Sequence, residues 1–227
     1  DLIWNLPTWE KTIPILIKNK FNISSLIVCK EKLAHLSGLK KLRWYFLTFG
    51  FWNFLKLSIY SSVILCKRKL NYIMKKNQNK NFFDLAKKVR CKYYKCYSPN
   101  EKKILKVLIN SKVDIILLMS SHVLKKNIIK IPSFGIINKH ASALPANKGL
   151  FTYFWSIINK NKQGISFHKV SSKIDQGKLV YQKLDIPEEK LKSMISFYIY
   201  VFNTYPIFIV RAIKNLINKK YLSHKSY

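Results

Sequence analysis

Acidic side chains are scarce in this chain: 227 residues carry ten Asp and Glu, only five of them Asp, against 42 Lys and Arg. The formal net charge is therefore +32. Such an excess suits phosphate-bearing substrates, nucleic acid or anionic lipid. It also fits a plain bias in residue usage, because Lys, Asn, Ile, Phe and Tyr are abundant together and the lysines are scattered rather than gathered in one stripe. Charge of this kind governs solubility and anion binding, not fold. Cysteine is scarce as well. Of Cys29, Cys66, Cys91 and Cys96, only the last two are near in sequence, and one such pair without a second makes a poor zinc pattern. No metal is expected, and free thiols point to a reducing, cytoplasmic setting. There is no internal repeat, and the start lacks a charged, apolar and small-residue leader pattern. The chain begins at Asp1, as a fragment or a processed product would.

What is present is enough to build a core. Hydrophobic residues make up 48% of the chain, which argues against disorder and for one domain of good size. Residues 45–66 are rich in Phe, Leu, Trp and Ile and are flanked by Lys40, Lys41 and Arg43 and by Lys67, Arg68 and Lys69. Length and flanks fit a membrane-spanning helix. Asn53 and Lys56 in the middle suit a buried or surface-lying helix better, since a central Lys costs about 2.5–3.5 kcal/mol on insertion. Peripheral contact with an anionic membrane is therefore an expectation beside a cytoplasmic location.

Apolar spacing predicts a helix over 8–18, with Pro14 inside it, and a buried strand over 24–29. Residues 31–74 read as a basic, aromatic helical insertion, followed by a polar break over 75–80. A helix over 82–89 and a strand over 91–97 come next. Ser98-Pro99-Asn100-Glu101 then reads as a helix start with Ser98 as its cap. Residues 113–119 form an apolar run of the kind buried in parallel sheets. Strands are expected from 135, over 164–170 with alternating faces, and over 179–184. Helices are expected over 151–159 and over 190–218, the latter interrupted at Pro206. Strands alternating with helices indicate an α/β layered domain.

The chemistry is concentrated between Asn138 and Asp175. Asn138 and His140 lie two apart, so on a strand they share a face. Pro145 and Gly149 shape the loop that follows, and Asp175 sits in a polar turn between two strands. An amide, an imidazole and a carboxylate together can polarise a carbonyl, move a proton and hold the proton carrier. Taken singly, Asn138 could close a turn, His140 could be a surface histidine and Asp175 could cap a hairpin.

The combined pattern, Asn138-Lys-His140-Ala-Ser142-Ala-Leu144-Pro145-Ala-Asn-Lys148-Gly149, then Gly164-Ile-Ser-Phe-His168, then Asp175-Gln-Gly177, resembles the N10-formyltetrahydrofolate-dependent formyltransferases. That family includes methionyl-tRNA, glycinamide ribonucleotide and sugar N-formyltransferases, and the resemblance covers residues 86–187. It implies a Rossmann-like α/β domain over 1–227, with a mostly parallel central sheet flanked by helices. It also implies a strand and Gly-containing turn before Thr8, so the first strand is expected to be missing. Asn138, His140 and Asp175 match the family's catalytic residues, with Asn138 and protonated His140 donating to the oxyanion and Asp175 holding the imidazole. Ser142, Leu144, Pro145, Gly149 and Gly177 shape the loops. Lys148 stands where many members carry Arg, and His168 either lines the pocket or packs within its strand. Leu118, Met119, Ser120 and Ser121 correspond to the backbone that receives the folate. The implied donor is N10-formyltetrahydrofolate, and the implied acceptor is a primary amine. A nucleotide-linked amino sugar is the first expectation, since the fifty or so residues after Asp175 leave no room for a tRNA-holding β-barrel domain. Methionyl-tRNA and a non-catalytic, surface-binding relative are the alternatives.

Overall fold

The computed structural model describes residues 5–30, 38–74 and 79–223; the start of the predicted insertion (31–37) and most of the polar break (75–78) lie outside them. In chain order the elements are α1 (Asn5–Lys18), β1 (Ser25–Cys29), α2 (Gly38–Ile73), α3 (Phe82–Lys88), β2 (Lys92–Cys96), α4 (Lys102–Asn110) and β3 (Ile115–Leu118). There follow α5 (Lys126–Ile129), β4 (Gly135–His140), α6 (Thr152–Ile158), β5 (Ile165–Lys169), β6 (Leu179–Lys183), α7 (Glu188–Leu191) and α8 (Met194–Ile217). The α/β reading holds, but the sheet is less parallel than expected. β1 and β2 form a parallel pair, and a separate sheet runs in the order β3-β4-β5-β6. Only β3 and β4 are parallel within it; the β4–β5 and β5–β6 pairs are antiparallel. For β5–β6 the cause is chain length, since a parallel crossover needs a dozen or more residues. The connection over 170–178 between these two strands is shorter than that. β4 and β5 are antiparallel although the connection over 141–164 carries α6.

Among the described residues no strand joins the two sheets by hydrogen bonds. Side chains do so instead: Cys96, Ile104, Leu108, Ile128 and Ile136 form a buried cluster that also takes in Ile27 and Ile116. Parallel register sets Cys29 opposite Cys96, with their sulfurs 3.2 Å apart as free thiols. Sixty-seven residues separate them, so sequence spacing gave no sign of this neighbourhood. Burial pushes the Cys29 thiol up to about 12, which keeps it protonated and unreactive.

The other core lies under α8. Phe197, Val201, Tyr205, Ile209 and Ala212 are fully buried against Ile137, Ile165, Phe167 and Val180 of the sheet. The Phe167 ring stacks on Tyr205 with centroids 5.5 Å apart. Contrary to expectation, α8 runs through Pro206 without interruption. A helical proline leaves the carbonyl four residues earlier without its amide partner. Here that carbonyl belongs to Phe202, and the Thr8 hydroxyl of α1 reaches it at 3.4 Å. α4 likewise departs from expectation, starting at Lys102 with Glu101 at its cap position. The Glu101 carboxylate turns back to accept from the amides of Tyr97 (2.6 Å) and Ser98 (2.8 Å), so Ser98 belongs to the preceding turn.

α2 is a 36-residue helix with a kink at Gly50, whose φ of 71° a side chain would oppose. One face is tied to the domain. Phe49 packs between Phe151 and Phe154, and Arg68 makes two hydrogen bonds to the Glu10 carboxylate, at 2.9 and 3.2 Å.

Candidate active site

β4 delivers Asn138 and His140 on one face, and β5 lies antiparallel beside it with Asn138 opposite His168 and His140 opposite Ser166. On β5 the chemistry alternates as the sequence implies, Ile165 and Phe167 against Ser166 and His168, but the burial does not. All four are buried, because α8 covers the apolar face and the motif loop covers the polar one. Ser166 holds that loop down. Its hydroxyl donates to the Ser142 carbonyl at 2.7 Å and accepts from the Leu144 amide at 3.0 Å. Gln182 of β6 donates to both Ser166 Oγ (3.0 Å) and the Leu144 carbonyl (2.8 Å).

Three of the residues singled out from sequence gather around the carboxylate of Asp175. Its Oδ2 lies 3.5 Å from His140 Nδ1, and its Oδ1 lies 3.4 Å from His168 Nε2. His168 Nε2 is in turn 3.3 Å from the Asn138 amide nitrogen. His168, left open between pocket and packing, thus faces both Asn138 and Asp175 with the one nitrogen Nε2, which serves one of them at a time: it donates to Asp175 or accepts from Asn138. Gly149 donates its amide to Asp175 Oδ2 at 2.9 Å, so the loop after Pro145 closes onto the turn that follows β5. Burial pushes the Asp175 carboxyl up, but the hydrogen bond to His168, the neighbouring His140 and the Gly149 amide outweigh it and hold the group below its ordinary value.

Burial pushes the His140 imidazole below the ordinary value, and neither the Asp175 carboxylate nor the Asn147 carbonyl reverses this. The resting ring is therefore neutral near pH 7, and the protonated donor expected from sequence would form only once the ring takes up a proton. Its Nε2 lies 2.9 Å from the Asn147 carbonyl oxygen, so both ring nitrogens face acceptors. A proton taken up by this ring would complete both contacts at once.

Other residues singled out from sequence lie on the loop after β4 and at the end of β3. Ser142 is buried, and its hydroxyl donates to the carbonyls of Ala146 (3.0 Å) and Asn147 (3.3 Å), which leaves it no nucleophilic role. Leu144 is buried, while Lys148 is exposed. Leu118 pairs with Asn138 across β3 and β4, so Met119, Ser120 and Ser121 leave the strand end beside the amide. Sequence reasoning missed Asn147. Its backbone has φ 53°, its carbonyl holds His140, and its side chain joins Ser156, Asn159 and Asn161. The only available signal was an Asn between Pro145 and Gly149, where a left-handed turn residue is welcome. Among the described residues no group of His, Cys, Asp and Glu fits a metal ion. A cleft of about 570 Å³ between α1, α2, α3 and α8 is lined by Lys11, Lys67, Arg68 and Phe202, and by none of Asn138, His140 or Asp175.

Between the two site residues, Lys139 points the opposite way. It sits half-buried with its ammonium 3.4 Å from the centre of the Phe202 ring. Burial pushes that ammonium down to about 7 from an ordinary 10.5, and the ring face compensates only in part. A lysine whose folded pKa lies below its unfolded one binds fewer protons when folded, so its contribution to stability rises with pH between those values. Lys139→Met should therefore stabilise the fold near pH 7 and flatten the rise in Tm between about pH 7 and 10. Thermal melts of both proteins over that range check it.

Comparison with known proteins agrees with this geometry. Residues 59–194 match the formyl transferase family model. A methionyl-tRNA formyltransferase of Prochlorococcus marinus (strain NATL2A) is 34% identical over 85 residues, covering 37% of this chain and 25% of that protein. The chain thus spans about a quarter of that curated relative's length. Among solved structures, phosphoribosylglycinamide formyltransferase from Bacillus halodurans superposes with a TM-score of 0.54 at 14% identity, over 94% of this chain and 92% of that one. A sugar N-formyltransferase from Shewanella sp. gives 0.50 at 21%, over 66% and 58%. At such identities the structures speak for the fold alone, which is the Rossmann-like one expected. The family match covers more than half of the sequence and contains the whole cluster around Asp175: the chain belongs to the formyl transferase family.

Proposed function

We propose that this chain transfers a formyl group from N10-formyltetrahydrofolate to a primary amine. The observation that carries the reading is the cluster in which Asp175 contacts both His140 and His168, with Asn138 against His168. The donor fits the site by placement: the β3 end at Leu118 lies beside Asn138, so a ligand held by the backbone of 118–121 would meet that amide. The donor supplies the formyl carbon; the chain's residues handle charge and protons. Asn138 donates to the oxygen that becomes negative as the amine attacks, a contribution of about 3–4 kcal/mol for one such donor. Neutral His140 accepts the amine proton and returns it to the departing nitrogen. While it holds that proton, Asp175 stabilises the imidazolium. To reach the amine, Nε2 must give up the Asn147 carbonyl, so the loop over 145–149 shifts during the reaction.

His140→Ala should abolish measurable transfer in a single-turnover assay, and substantial residual activity would remove the ring from the mechanism. In the unmodified protein, transfer should fall as pH drops through the depressed imidazole pKa, because the protonated ring can no longer act as base.

For the acceptor we favour a nucleotide-linked amino sugar, whose phosphates suit the +32 charge. Methionyl-tRNA shares that chemistry, and the 34% identity to a methionyl-tRNA formyltransferase supports it as the second reading. Competition between the two acceptors for the loaded protein separates them.

A further inference from the structure

The outer face of α2 is apolar and uncovered. Beyond the Gly50 kink, Trp52, Leu55, Ile59, Val63, Cys66, Leu70 and Ile73 recur every three or four residues, and all are exposed, Trp52 to 70% and Ile73 to 64%. At 3.6 residues per turn they fall within an arc of about 80° and run for about 35 Å. Lys56 and Lys67 border this stripe on one side and Lys69 on the other, and all three are exposed. The opposite face carries Phe54, Leu57, Ile64 and Arg68, all half-buried. Apolar residues on both faces make α2 long and apolar enough to cross a membrane by length and composition. Its inner face is nevertheless held by Glu10 through Arg68 and, before the kink, by Phe151 and Phe154 through Phe49. A helix fastened lengthwise to a folded domain lies along a surface rather than through a bilayer.

We propose that the outward stripe of α2 docks this protein on the surface of an anionic lipid bilayer. Charge complementarity selects the occupant. A second copy of a chain with net charge +32 would bring like charges together along the lysine borders. An anionic surface instead attracts them. The stripe has the form of an interfacial helix, with Trp and aliphatic side chains at the acyl boundary and lysines reaching back to the headgroups.

The test is flotation of the full chain with vesicles of neutral phosphatidylcholine and with vesicles containing 30% phosphatidylglycerol. Binding should appear with the anionic vesicles and fall at least tenfold in W52E/I59E. Both positions are exposed, so circular dichroism and Tm should be unchanged. Charge reversal of the borders, K56E/K67E/K69E, should weaken binding comparably. Absence of flotation, or equal flotation by W52E/I59E, would overturn the proposal. So would a sedimentation experiment in which W52E/I59E turns an oligomer into a monomer while vesicle binding persists; the stripe would then join copies of the chain.

Discussion

Asp175→Asn should lower turnover by about three to four orders of magnitude while leaving the affinity for 5-formyltetrahydrofolate, a stable donor analogue, nearly unchanged. The substitution is close to isosteric. Its remaining amide oxygen can still accept from the Gly149 amide, which lies 2.9 Å from Asp175 Oδ2, so the loop over 145–149 has no reason to open. What disappears is the charge. His140 Nδ1 at 3.5 Å then has no counter-ion when the ring takes up the amine proton, and His168 loses its acceptor at 3.4 Å. Stability should respond in its own pH window. The Asp175 carboxyl is held below its ordinary 3.8, so its contribution is complete above that value and is lost as pH falls through the lower folded value. The Asn variant should therefore differ from the unmodified protein in Tm near neutrality and converge with it in strong acid. Single-turnover kinetics and calorimetry with the analogue separate the two effects. Near-normal turnover would remove Asp175 from the chemistry, and lost binding would show that it acts through the loop.

Much of this site was legible because its residues are local in sequence. Asn138 and His140 sit two apart on one strand, and their common face follows from strand geometry alone. The loop was legible from Pro145 and Gly149, and the family resemblance supplied Asp175. What escaped depends on contacts across long stretches of chain. Asn147 earns its place through a carbonyl, and a carbonyl leaves no mark on residue type. The charge of His140 depends on how deeply the motif loop buries it, which periodicity does not report. Pro206 is tolerated because Thr8 lies 198 residues before it and reaches the carbonyl of Phe202. The antiparallel return of β6 along β5 follows from a connection too short for a crossover, a length argument that a strand-by-strand reading passes over. The inner face of α2 shows the same limit. Its low contrast between faces hid the fact that one of them is already taken by Glu10 and the aromatic rings of Phe151 and Phe154.

Gly177→Ala should be the most damaging single substitution to the fold near the site. A Cβ built on Gly177 would overlap the carbonyl oxygen of Lys169 and stand 3.4 Å from His168 Nδ1. The neighbour is backbone, not a side-chain tip that could swing away. The ladder here is already irregular, with a register shift between Phe167 and His168, and the Lys169 amide bonds to the Lys178 carbonyl at 2.9 Å. Space for a methyl group can come only from moving β6 away from β5 or lifting the turn that carries Asp175. Overpacking of this kind costs about 1–3 kcal/mol and more where backbone must shift. A loss of about 3 kcal/mol in a domain of this size lowers Tm by roughly 6–12 °C. Activity should fall further than stability explains, because the same displacement draws Asp175 from His140 and His168. Melting curves alongside single-turnover rates at a temperature where the variant is fully folded distinguish the two losses. A variant with unchanged Tm would mean that the 170–178 turn is looser than its packing under Lys169 implies. If Tm falls but the folded fraction transfers formyl at the normal rate, the turn positions β6 and not the carboxylate.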